Sequence, residues 1–299
     1  MCIRDRVSVS YGNEMDLTAA DFLQYYLEHE SGVSVFCFYI EGFQPGEGER
    51  FLALVRRATR EGKAVVVYKA GMTPSGAKAA ASHTASIAGD YQVARILLTE
   101  AGALVCETLN QFEDFTKVLT MLADRPAGGR RVGVITNAGF EAGAVSDHLY
   151  HLQLSDLSRE TRGKLAAVLP EIATTGNPVD VTPMTDTEAF VKSVEILAAD
   201  DEVDALIVSA VPVTPSLDIL VPDLQGEHAE NVFALTSLPN ELLRVSRQID
   251  KPMVVVIDSG RLYDPSVTLL ERGGVPVYRK IDRASRALSA ATGYWSRKA

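Results

Sequence analysis

Three cysteines, one tryptophan and a shortage of positive charge characterise this 299-residue chain as clearly as anything it contains. Cys2, Cys37 and Cys106 are widely spaced and odd in number, which fits neither a disulfide framework nor zinc-ligand spacing. Such usage belongs to a reducing compartment, so a cytoplasmic location is expected. Cys37, inside the apolar run VSVFCFYI, reads as a core residue. The 39 acidic residues outnumber the 29 basic ones, for a formal net charge of -10, and no basic stripe runs along any segment, which argues against a nucleic-acid partner. Apolar runs such as MVVVI, Met253 to Ile257, fall far short of the roughly 18 residues that cross a bilayer, so no membrane partner is expected. The opening MCIRDR lacks the apolar centre of a secretory signal. It leads at once into VSVSYGNEMD, which has the character of mid-domain sequence, so a truncated or artificial amino terminus is expected. Walker, G-x-G-x-x-G and G-x-S-x-G motifs are missing, as is any DNA-reading module.

What the chain does have is the composition of a globular protein, 46% hydrophobic and 23% charged, and enough length for two ordinary domains. Short β-branched runs alternate with longer amphipathic segments, the pattern of parallel sheets covered by helices. In the first half this predicts strands over 7–10, 33–39, 64–68 and 103–106. Helices are predicted over 18–29, 48–61, 91–101 and 110–123, with Asp16 or Thr18 and Asp90 as N-caps. Proline and paired glycine in DRPAGGRR, Asp124 to Arg131, break the pattern, so the domains are expected at 1–126 and 127–299. The second half predicts strands over 131–136, 205–211, 252–258 and 276–278, with helices over 139–149, 158–169, 186–198, 237–249, 265–272 and 281–294. Near-continuous apolar strands such as ALIVSAV imply a sheet buried on both faces. The fold class is therefore α/β, two tandem flavodoxin-like doubly wound parallel sheets, with ligands off the carboxyl ends of the strands. The long connection Ser216 to Ser237 fits either a lid or an irregular surface excursion.

Several stretches have the makings of chemistry. In AAASHTASIAGDY, small residues surround His83, which reads as a thin, mobile loop. A solvated imidazole titrates near 6.5, so at neutral pH much of it is the free base, although a lone histidine is also an ordinary surface residue. VGVITNAGFEAGAV passes from an apolar strand through Asn137, Ala138 and Gly139 into a helix, a turn whose first N–H groups can bind an anion. The polar loop TTGNPVDVTP, with Asn177 and Asp180, could frame the same pocket or be a plain turn. Glu41 directly follows a strand, where a carboxylate can fix the tautomer of an imidazole or simply face solvent. Glu47 and Glu49 read as ordinary first-turn charges. His29, His148, His151 and His228 have no ligand spacing, so no bound metal is expected.

Taken in order, VSYGNEMDL, FYIEG, VVVYKAGMTPSGAKAAASHTASIAGD, GVITNAGFEAG and TTGNPVDVT resemble the acyl-CoA synthetases of the NDP-forming type, the acetate-CoA ligase (ADP-forming) family, relatives of succinyl-CoA synthetase. The resemblance spans Val7 to Tyr294. It implies an acid-thiol ligase in which His83 is transiently phosphorylated, Ser82 and Thr84 flank it, and Glu41 holds the imidazole. Asn137 to Gly139 would form one of two helix starts that bind the phosphoryl group, with Asn177 and Asp180 at the pocket. Substrates and cofactors would be CoA, an acyl-CoA, phosphate and ATP or ADP with Mg. Their sites are expected mostly on a CoA-binding Rossmann domain and an ATP-grasp domain or subunit, both outside this stretch. Two positions depart from the usual pattern: Ala85 replaces a glycine and Phe140 follows Gly139. The alternative implied is a non-catalytic or regulatory module, or one fused to a protein acetyltransferase.

Overall fold

The coordinates come from a computed structural model that describes residues 7–12, 14, 16–83, 90–212, 214–223 and 225–297, with the side chains of 81–83 outside the description. Contacts divide the chain into two units, one ending at Thr120 and the other starting at Met121.

The first unit contains α1 (Ala19–His29), β1 (Val35–Ile40), α2 (Glu47–Arg60), β2 (Ala64–Lys69), α3 (Pro74–His83), α4 (Tyr91–Glu100), β3 (Leu104–Cys106) and α5 (Leu109–Met121), which runs across the division. Thr18 caps α1 through a reciprocal capping box with Asp21, and Asp90 caps α4. The three strands are parallel in the order β1-β2-β3, and Leu23, Phe51, Val55, Val65 and Val67 form the core beneath them.

Three expectations for this unit are corrected. Residues 7–10 are exposed and form no strand, because β-branched composition makes a ladder only where a neighbouring strand supplies partners. Cys37 is exposed, since β1 alternates and places Cys37 and Tyr39 on the side away from Phe36, Phe38 and Ile40. His83 does not sit in a loop at its backbone but ends α3. Proline at the first helical position and the alanines that follow favour that helix over the thin loop read from the small residues.

The second unit is built on β4 (Arg131–Thr136), α6 (Gly139–Asp147), β5 (Gln153–Leu154), α7 (Arg159–Val168), β6 (Val179–Asp180), α8 (Thr187–Ala198), β7 (Ala205–Ala210), α9 (Leu238–Gln248), β8 (Met253–Ile257), α10 (Asp264–Arg272), β9 (Val277–Tyr278) and α11 (Ile281–Trp295). Its parallel sheet runs β5-β4-β7-β8-β9, and β6 joins the same edge of β4 as β5. Every residue of β7 and β8 is buried, so both faces are covered. Leu206, Val208 and Ala210 face the core shared with α7, α8, α9 and α10, while α11 packs against β7, β8 and α6 on the opposite side. The chain order reverses beside β4: β5 and β6 lie on one side of it and β7 on the other. This places a topological switch point at the carboxyl ends of β4 and β7.

The connection from β7 to α9 is pinned down over its described residues. Leu217, Ile219 and Val232 are buried, Glu230 Oε2 accepts from the Ile219 and Leu220 N–H groups, and Ser266 donates to the Ile219 carbonyl.

Candidate functional site

In the first unit, β1 and β2 end side by side, with Ile40 opposite Lys69. Glu41 follows immediately and is half-buried at the carboxyl edge of the sheet. Lys69 closes the apolar strand AVVVYK and is 3% exposed. Its Nζ donates to the Glu41 carbonyl at 2.8 Å and the Ala70 carbonyl at 2.7 Å, fixing the backbone on which Glu41 is carried. Burial pushes the Lys69 pKa down, and the Glu41 charge acts against that push. The chain then turns through Gly71, at φ +92°, and Thr73, whose hydroxyl accepts from the Gly76 N–H at 3.1 Å, into α3 and so to His83. The side chains of Ser82 and His83, and the whole of Thr84, lie outside the described residues.

In the second unit, Asn137, Ala138 and Gly139 stand at the switch point, but the structure divides their roles. Asn137 is 1% exposed, and its amide group locks onto Val211 beyond the end of β7. Both halves of the side-chain amide are thus engaged by backbone, and what the turn offers an anion is its own N–H groups. The Ala138 N–H donates to Thr136 Oγ1 at 3.2 Å. No side chain caps α6, and the N–H groups of Gly139 and Phe140 have no acceptor among the described residues. Those two donors, at the positive end of the helix dipole, are what the turn offers an anion. Phe140 is exposed and does not close over them.

Asn177, expected at the pocket, is engaged with the edge of β4. β5 pairs with β4 at residues 131 and 132 and β6 at 135 and 136, which leaves the middle of that edge open. Asn177 fills the gap: Oδ1 accepts from the Val134 N–H at 2.9 Å, and Nδ2 donates to the carbonyls of Val132 at 2.8 Å and Ser155 at 3.1 Å. Both its N–H donors are consumed by strand backbone. Asp180 does reach the helix start. Its Oδ1 accepts from the Thr182 N–H at 3.0 Å, and its Oδ2 lies 3.2 Å from where a side chain on Gly139 would begin. The expectation of a rigid polar loop here is corrected to the extent that Val179–Asp180 pairs as β6.

Two further residues at this edge escaped sequence reasoning. Glu141, in the first turn of α6, is fully buried and accepts from the hydroxyls of Ser209 and Thr136, while its Oε1 has no partner. Burial pushes its pKa up against those hydroxyl bonds, and the ion pair of Asp258 with Lys280 acts on it with opposing signs. Thr182 adopts φ +74° and carries a buried hydroxyl without a partner. A lone Glu in GFEAGAV was a readable signal, whereas nothing in the sequence announces a left-handed threonine. No group of three or more His, Cys, Asp or Glu that could hold a metal ion occurs among the described residues. No helix among them is long and apolar enough to cross a membrane.

Residues 3–119 match the family model of the succinyl-CoA ligase like flavodoxin domain. Over 284 residues the chain is 30% identical to the acetate–CoA ligase [ADP-forming] II subunit alpha of Pyrococcus furiosus, covering 94% of this chain and 58% of that protein. It is 31% identical over 288 residues to the acetate–CoA ligase [ADP-forming] I of Archaeoglobus fulgidus, covering 96% of this chain and 38% of the relative. A solved structure, the dinucleotide forming acetyl-coenzyme A synthetase 1 of Ca. Korarchaeum cryptofilum in complex with phosphate and ADP, superposes with a TM-score of 0.83 at 26% identity, covering 97% of this chain and 59% of that one. The chain thus spans between 38% and 59% of the lengths of these proteins.

Proposed function

We propose that the chain is a member of the family of ADP-forming acyl-CoA synthetases with succinyl-CoA ligase-like flavodoxin domains and that it performs the phosphoryl-carrying steps of such a ligase. The observation that supports this most is at the edge of the first sheet. Glu41 follows the end of β1 beside Lys69, which ends β2 and grips the Glu41 carbonyl, and the chain beyond Lys69 leads into the helix that ends on His83.

In the direction of ATP synthesis, phosphate attacks the thioester carbonyl of an acyl-CoA, the C–S bond breaks, and the CoA thiolate leaves. An imidazole nitrogen of His83 then attacks phosphorus, and the acyl carboxylate departs with the P–O electron pair. A terminal oxygen of ADP next attacks phosphorus, the N–P bond breaks, and the imidazole is restored as ATP forms. Glu41 accepts the hydrogen bond of the imidazole N–H, which presents the other nitrogen as nucleophile and stabilises the charged phosphoimidazole. The Gly139 and Phe140 N–H groups receive phosphoryl oxygens. Phosphoryl transfer depends mostly on positioning and charge neutralisation, which is what these groups supply. Mg accompanies the nucleotide; the described residues offer it no site, and no step here runs through it. The nucleotide and CoA are held by ATP-grasp and CoA-binding domains, on a longer polypeptide or on a partner subunit, and the reaction takes place in the cytoplasm.

The test uses the enzyme assembled with its nucleotide-binding partner. Given labelled ATP, it is expected to acquire an acid-labile, base-stable phosphate that His83→Ala abolishes. Label that persists in His83→Ala overturns the reading.

A further inference from the structure

Thr182 combines a left-handed backbone with a buried, unpaired hydroxyl. It is a β-branched residue at φ +74°, in the left-handed region that such side chains rarely enter, and it is 8% exposed. Its hydroxyl is buried without an acceptor or donor, although buried polar groups are nearly always paired. Pairing fixes its place. Asp180 lies opposite Thr136, and the next residue, Val181, donates its N–H to the Thr136 carbonyl at 2.9 Å. Thr182 is the second residue past the last β4–β6 pair, as Ala138, from which α6 starts, is on the other strand. Asp180 spans the same corner, holding the Thr182 N–H with one carboxylate oxygen and lying against Gly139 with the other. One carboxylate thus links the Thr182 backbone to the start of α6, and the Gly139 N–H, the Phe140 N–H and the Thr182 hydroxyl have no hydrogen-bond partner among the described residues.

We propose that Thr182 is a ligand-positioning residue whose hydroxyl donates to an oxygen of the phosphoryl group seated on the first turn of α6. A single helix end brings only about half a unit of positive charge against a phosphoryl group carrying nearly two negative ones. A third, fixed donor makes up part of that deficit. The inference rests on the reading of α6 as a phosphoryl site.

Inorganic phosphate is the probe, titrated into the full chain while the Gly139 and Phe140 amides are followed by NMR. Thr182→Val keeps the branched shape and removes the hydroxyl; Thr182→Ser keeps the hydroxyl. Loss of one hydrogen bond to a charged oxygen should weaken phosphate binding about tenfold in Thr182→Val, with Thr182→Ser within about threefold of wild type. The urea midpoint of Thr182→Val should hold or rise, because an unpaired buried hydroxyl is replaced by a methyl group. A purely structural threonine gives the opposite pattern, a lower midpoint with unchanged phosphate affinity, and that result overturns the proposal. So does a wild-type chain that binds no phosphate. Neither outcome touches the His83 labelling experiment, which stands or falls separately.

Discussion

Asn137 and Val211 are joined like two residues of adjacent strands. The Asn137 Nδ2 donates to the Val211 carbonyl at 2.8 Å, and its Oδ1 accepts from the Val211 N–H at 2.8 Å. A side chain here does the work of a backbone, continuing the β4–β7 ladder from Thr136 and Ser209 to Val211, two residues past Ser209. Asn137→Ala leaves a buried N–H and a buried carbonyl unpaired. A loss of about 2–6 kcal/mol in urea unfolding is expected, from roughly 1–3 kcal/mol for each of the two orphaned groups. A loss below about 1 kcal/mol would mean that Val211 finds other partners.

Glu41→Gln separates catalysis from folding. The fold uses the backbone carbonyl of Glu41, which Lys69 grips, and that bond survives the substitution. The urea midpoint should therefore stay put while phosphorylation of His83 slows on the order of 10²-fold, the scale of a lost acid-base partner. Single-turnover labelling measures it; unchanged labelling would assign the Glu41 carboxylate to solvent.

Two carboxylates should move stability with pH in opposite senses. Burial raises the Glu141 pKa above 4.5, so the unfolded chain gives up this proton first as pH rises, and stability falls through that window. Glu141→Gln removes the loss, and its advantage over wild type should grow from pH 4 upward. Asp204 is the reverse case. Burial pushes its pKa up, but the side-chain and backbone bonds from Arg131, at 2.8–3.1 Å, outweigh that and bring it below 3.8. Its contribution is present above that value and is lost as pH falls through the folded pKa. Asp204→Asn should thus be less stable than wild type at neutral pH and converge with it in acid. Urea titrations across pH 3 to 8 read both slopes; parallel curves would contradict the assignments.

Periodicity made the long elements legible, because burial on two faces writes itself into runs such as ALIVSA and into caps such as Thr18, Asp90 and Asp186. The short strands β5 and β6 were not legible: each is two residues long, too short for any period, and exists because β4 has a free edge there. The same limit applied to the site. Residue type pointed to the turn at Asn137–Gly139, but which atoms remain available there depends on contacts far along the chain, with Val211 and Asp180. Lys69 went unremarked because a lysine closing an apolar strand looks like its solvent end, whereas here its ammonium is folded onto two carbonyls.

Gly139→Ala tests the helix start itself, and two effects of opposite sign decide its outcome. Alanine in place of glycine in a helix gains roughly 0.5–1 kcal/mol from the backbone entropy that glycine loses. Against this, the new methyl group would stand 3.2 Å from Asp180 Oδ2, closer than such contacts normally come, and Asp180 is tethered through its other oxygen to the Thr182 N–H. The carboxylate must give by a few tenths of an ångström, and Thr182 must shift with it. The two terms should nearly cancel, leaving the urea midpoint within about 1 kcal/mol of wild type. Phosphate affinity should still fall, because the displaced groups are the ones around the free N–H donors. Gly133→Ala provides the contrast: its methyl group would meet Leu197 Cγ at 2.9 Å and Val203 Cγ1 at 3.1 Å in the packed core, far from the switch point's donors. That variant should lose about 1–3 kcal/mol by overpacking and, while folded, bind phosphate as wild type does. Equal phosphate affinity in Gly139→Ala and Gly133→Ala would show that no anion is held on the first turn of α6.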